Sequence, residues 1–145
     1  MNNLQQSQNK ILLIGEANEQ TTAIRASIEV AGHVVVHAGT IKAAEIALEK
    51  TVFGLIVVDC DSRESVVKSI SEFTSLLSPK TPTIGYTTSR SQTLVMELMR
   101  NGAVYVLCLP RDLTVVNDRA ESTLSKNNNA HLEEKRTKNV RRLYE

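Results

Sequence analysis

The stretch Gly54–Leu55–Ile56–Val57–Val58–Asp59 decides the architecture. Four consecutive apolar residues without polar alternation describe a strand covered on both faces, and such strands belong to parallel sheets with helices above and below. The run ends on a carboxylate, Asp59, at the carboxyl end of the strand, which is where open α/β sheets place ligands and chemistry.

Upstream, Thr40 is placed to cap a helix running through Lys50, with Ile41, Ala44 and Leu48 on one side. Val34–Val35–Val36 reads as a strand before it. From Glu19 to Ala31, Ile24, Ile28 and Ala31 recur at helical spacing and Gly32 supplies the stop, while Ile11–Leu12–Leu13–Ile14 is a first buried strand. Downstream, Val66, Ile70, Phe73 and Leu77 predict a helix that Ser78–Pro79 ends. Ile84–Gly85–Tyr86 predicts a fourth strand. Ser89 followed by Gln92 has capping-box spacing ahead of an apolar stripe of Leu94, Val95, Leu98 and Met99, which Gly102 closes. Val104 to Leu107 predicts a fifth strand, and Asp112 is placed to cap a last helix carrying Leu113, Val116, Ala120 and Leu124. Five strands alternating with five helices imply right-handed crossovers and a doubly wound parallel sheet.

The 145 residues, 41% hydrophobic and 23% charged with a formal net charge of +1, suit one ordinary domain that needs no disulfide or metal staple. No apolar run approaches the roughly 20 residues of a membrane helix, and the polar opening residues 1–9 are unlike a secretory signal, so a cytoplasmic location is expected. Cys60 and Cys108 read as small reduced core residues. Near-neutral charge and few aromatic rings argue against a nucleic-acid surface on the domain. The composition shifts after residue 125: residues 126–145 carry six Lys and Arg against three Asp and Glu, with only Leu132, Val140 and Leu143 as an apolar stripe. A polar linker and a basic, marginal helix are expected there.

The strand ends restrict the chemistry. Gly15–Glu16–Ala17–Asn18–Glu19 has one glycine where phosphate-cradling loops need several, no nucleophile elbow is present, and neither cysteine neighbours a histidine in sequence. His33 and His37, four apart on a strand, are separated by roughly 13 Å, too far to share a metal. Glu16, Asp59 and Asp61 remain. If the first and third strands pair, about 4.8 Å apart, these carboxylates converge and suit a hard cation such as Mg²⁺, beside which Asp59 could attack a phosphoryl group. Asp61 with Glu64 equally fits a helix cap and its capping-box partner.

The motifs Lys10–Ile14, Gly54–Asp59, Thr81–Pro82–Thr83–Ile84–Gly85–Tyr86–Thr87 and Gly102 through Pro110 together resemble the receiver domain of two-component response regulators over about residues 10–125. The resemblance implies a flavodoxin-like (βα)5 fold with strand order 2-1-3-4-5. It also implies that Asp59 is the phosphoacceptor, that Asp61 offers a backbone carbonyl to Mg²⁺, and that Thr87 is the switch hydroxyl. Three positions depart from the pattern. The acidic pair after the first strand is Gly15–Glu16, the lysine before the fifth-loop proline is Leu109, and the fifth-strand aromatic falls on Val106. Tyr105, one residue away, points to the other face unless the strand is bulged.

These departures imply a degenerate receiver: a non-enzymatic regulatory module that binds a histidine kinase or another signalling protein, with Mg²⁺ weak and phosphorylation weak or lost. An output domain or a second copy would engage residues 89–145. Two other readings stay open, a conventional Mg²⁺-dependent receiver modified on Asp59 and a flavodoxin-like cofactor-binding protein.

Overall fold

The computed structural model describes residues 10–61 and 81–125. The expected helix around Val66–Leu77, Glu64, the opening residues 1–9 and the basic segment 126–145 lie outside the described residues.

Five parallel strands form one sheet: β1 (Lys10–Ile14), β2 (Val34–Ala38), β3 (Leu55–Asp59), β4 (Thr83–Thr87) and β5 (Ala103–Cys108), ordered β2-β1-β3-β4-β5. The central strands are apolar on both faces because both faces are covered, and alternate residues feed two separate cores. On one face Ile11, Leu13, Leu55, Val57, Ile84 and Leu107 pack with Ile24 and Ile28 of α1 (Glu19–Val30). Val116, Ala120 and Leu124 of α4, the helical residues 116–125, complete that layer. On the other face Leu12, Ile14, Ile56, Val58 and Val106 pack with Ala44 of α2 (Ile41–Lys50) and Leu98 of α3 (Gln92–Arg100). The expected architecture and strand order are therefore present.

The caps differ in detail. Thr40 caps α2 as expected, its side chain accepting from the Ala43 N–H. Helix α3 is capped by Ser91 and not by Ser89: the Ser91 side chain accepts from the Leu94 N–H, while the Ser89 hydroxyl accepts from the Ser91 N–H at 3.2 Å and the Ser89 N–H donates to the Thr87 hydroxyl at 3.0 Å, so the chain enters the helix two residues later. Met99, expected in the apolar stripe of α3, is exposed, and only Leu98 is fully buried. Asp112 does not cap the last helix. It lies inside a 3-10 turn (Arg111–Val115) and folds its carboxylate back onto the Cys108 N–H at 2.8 Å, closing the loop that leaves β5. Cys60 is buried, whereas Cys108 is only half-buried. Gly32 and Gly102 end α1 and α3 with φ of 95° and 117°, a region side chains other than glycine's rarely adopt. Among the described residues no helix is long and apolar enough to cross a membrane.

The Asp112 contact generates a test. A hydrogen bond from Arg111 holds its carboxyl below the ordinary carboxylate range, with the Cys108 N–H adding to the effect against partial burial. A depressed folded-state pKa contributes stability above the unfolded value that is lost as pH falls through the folded one. Asp112→Ala should therefore lower unfolding stability by about 1–3 kcal/mol at neutral pH, with the deficit shrinking in acid, measured by urea denaturation across pH.

Candidate functional site

The pairing of Ile14 with Val58 in β1 and β3, and of Asp59 with Tyr86 in β3 and β4, brings three strand ends to one level. Asp59 is buried there, at 5% exposure, and its Oδ1 accepts the Asp61 N–H at 2.9 Å in a tight local turn. Burial pushes its pKa up, and the charges of Asp61 and Glu16 add to the rise. The Asp61 N–H and the Asn18 side chain oppose it. Asn18 also caps α1, accepting from the Thr21 N–H at 2.9 Å. Glu16 is exposed.

Asp61 reaches across to the end of β4. Its carboxylate accepts the Thr87 hydroxyl in a short bond, the Thr88 hydroxyl at 2.6 Å, and the Thr88 N–H at 2.9 Å. Partial burial alone would raise its pKa, but the bonds from Thr87 and Thr88 outweigh it and hold the carboxyl below its ordinary value. The Thr87 side chain is fully buried, donating to Asp61 while its oxygen accepts from Ser89. Asp61 thus serves as a clasp between two loops, with both of its oxygens engaged.

The first departure from the receiver pattern has a steric cause. A Cβ on Gly15 would lie 2.8 Å from Asp59 Cβ and 2.8 Å from the hydroxyl of Tyr86, inside the distance at which atoms must move apart. Tyr86 is 1% exposed, and its ring occupies the space between the ends of β1 and β4. Its hydroxyl bonds with Thr21 Oγ1 at 2.9 Å, and that hydroxyl in turn contacts the Glu16 carbonyl at 2.7 Å. His37 reaches the Gly15 carbonyl at 2.7 Å, fixing the same loop from the β2 side. From sequence, Thr21 and Tyr86 have no functional role of their own, and Thr88 stands out only as part of the strand-exit loop Thr87–Ser89. The signal for Tyr86 was a large aromatic one residue before Thr87, in a strand whose preceding residue is glycine.

The other departures also lie in packed positions. Leu109 is 7% exposed and belongs to the core with Ile11, Leu13, Tyr86 and Val116. Val106 is buried on the opposite face with Leu98. Tyr105 packs on the Leu109 face, with the Arg119 guanidinium 4.3 Å from its ring centre. The ladder of β4 and β5 does shift register, Thr83 facing Ala103 and Ile84 facing Tyr105, so Val104 is the extra residue. That bulge precedes Tyr105 and leaves it on the face opposite Val106.

Glu16, Asp59 and Asp61 are neighbours, yet among the described residues no three His, Cys, Asp or Glu side chains gather where they could hold a metal ion. Mg²⁺ requires oxygens near 2.1 Å in octahedral array. The Asp61 carboxylate is engaged by the threonines, which leaves only its backbone carbonyl to offer a metal, and position 15 has neither a carboxylate nor space for one. The residues present do not fit the cation.

No protein-family model and no curated protein matches the sequence. Solved structures do. A CheY-like response regulator receiver domain from Methanospirillum hungatei JF-1 superposes with a TM-score of 0.72 at 17% identity, over 83% of this chain and 97% of that one. A response regulator from Thermotoga maritima gives 0.71 at 20% identity, covering 80% and 98%. NtrX from Brucella abortus gives 0.78 at 16% identity over 87% of this chain but 29% of its own length. The fold is that of response regulator receiver domains.

Asp59 carries a measurable consequence. A carboxyl whose folded-state pKa is raised opposes folding wherever it must be charged, and the penalty disappears below the unfolded value. Asp59→Asn should be more stable than the parent at pH 7, with the advantage fading as pH falls into the ordinary carboxylate range, followed by urea midpoints across pH.

Proposed function

We propose that this chain is a non-enzymatic regulatory module for signal transduction, built on the receiver fold, that works through protein–protein contact with phosphorylation of Asp59 weak or lost. The observation that carries the reading is Leu109, sunk into the core at the position where the receiver pattern has a lysine. A charge-assisted bond from an ammonium to a phosphoryl oxygen contributes about 1.5–3 kcal/mol, tenfold to a hundredfold in an equilibrium, and a buried leucine contributes none of it. The Asp61 clasp supports the same reading, since the hydroxyl of Thr87, the candidate switch, is already bonded within the protein.

The partner we infer is a histidine kinase or another signalling protein, with an output domain or a second copy as further candidates for residues 89–145. Within those residues Met96 and Met99 of α3 and Val104 of β5 are 55%, 48% and 49% exposed. Beside them a groove of about 800 Å³ is lined by Val95, Met96, Cys108 and Leu109, with Arg90 and Arg111 among its walls. Such volumes are typical of sites that accept a side chain or a small ligand.

The alternative of a conventional phosphoaccepting receiver places Mg²⁺ on Glu16, Asp59 and Asp61, and a titration decides between the two. With millimolar Mg²⁺, backbone amide signals of Glu16, Asp59 and Asp61 should stay where they are. Saturable shifts at those three positions would establish a working cation site and overturn the degenerate reading.

A further inference from the structure

From the contacts around Gly15 we infer that the Tyr86 ring, packed against that glycine, is the element that keeps a divalent cation out of this site, so that positions 15 and 86 determine cation binding as a pair. The inference rests on the degenerate reading above and assigns its cause to a residue that is none of the three departures from the receiver pattern.

Tyr86 hydroxyl and Asp59 Cβ both stand 2.8 Å from where a Cβ on residue 15 would be, so a carboxylate cannot be introduced at position 15 while the ring is in place. Asp59 is anchored through the Asp61 N–H and cannot retreat freely. The tip of the tyrosine is the removable obstacle, because the ring itself is seated in the core and its hydroxyl, bonded to Thr21, is the atom that reaches position 15.

Polarity points the same way. A cation site needs oxygens free to turn inward. The Thr21 hydroxyl instead links Tyr86 to the Glu16 carbonyl, which ties the loop after β1 to β4 through neutral groups. Leu109 shares the core with Tyr86 but is not among the atoms nearest a Cβ at position 15. Its replacement by lysine would add a cation and leave the obstruction at position 15 untouched.

The test uses Mn²⁺, which accepts the same oxygen ligands and broadens nearby amide signals. The full chain is compared with Gly15→Asp, Leu109→Lys, and Gly15→Asp combined with Tyr86→Leu, the leucine keeping apolar bulk while withdrawing the ring tip. The paired variant should show broadening centred on residues 15–16 and 59–61 at a Mn²⁺ concentration at least roughly tenfold below that needed by any other form, a gain equal to about 1.4 kcal/mol. A folded paired variant that responds no better than Gly15→Asp alone, or a Leu109→Lys variant that responds equally well, would overturn the inference while leaving the degenerate reading intact. Site-specific broadening in the unaltered chain would remove both.

Stability supplies a second route should the paired variant fail to fold. Gly15→Ala should shift the urea midpoint down in the parent and by clearly less in a Tyr86→Phe background, where the atom 2.8 Å from the new methyl is gone. Equal shifts in the two backgrounds would mean that Tyr86 is not the obstruction.

Discussion

The ends of β1, β3 and β4 meet with no free space between Gly15, Asp59 and Tyr86, and much of the site follows from that contact. Parallel pairing in the order 2-1-3-4-5 brings the three ends together, and the side chains then compete for one small volume. In this chain an aromatic ring fills it. The ring is covered by the same core that buries Leu109, so two departures from the receiver pattern, one at each side of the site, are joined by packing. Well-packed interiors transmit such constraints, because a change of even one methyl group is felt by its neighbours.

Electrostatics follow from the packing. Burial takes water from Asp59 and pushes its carboxyl upward, while Asp61 escapes the same fate by collecting three donors from Thr87 and Thr88. The two carboxylates are two residues apart and shifted in opposite directions by what surrounds them. The clasp also joins the exits of β3 and β4, and through the Thr87 hydroxyl it sets where α3 begins. The groove and the exposed methionines lie along that helix. The arrangement at the strand ends is thus mechanically continuous with the face proposed for partners.

The sheet was legible because uninterrupted apolar runs such as Leu55–Val58 have few other homes, and Gly32 and Gly102 mark helix ends by backbone conformation alone. Side-chain roles were less so. Ser89 and Asp112 carry the local signature of a helix cap, yet each is drawn away by a partner set by the strand exits, Thr87 in one case and the Cys108 N–H in the other. Asp61 looked equally like a cap or a metal ligand, while the groups that claim its carboxylate are 26 and 27 residues away in the chain. Tyr86 could be read only as part of a short strand. Its meaning depends on Gly15, 71 positions earlier, and on the pairing that places them together.

The central proposal is that phosphorylation of Asp59 is weak or lost on this receiver fold. The most direct measurement is intact mass of the full chain, quenched in acid over a time course with Mg²⁺ and a small phosphodonor, beside Asp59→Asn. The account predicts at most a minor adduct on the parent and none on Asp59→Asn at every time. A phosphoryl adduct that becomes the main species of the parent and is absent from Asp59→Asn would contradict it.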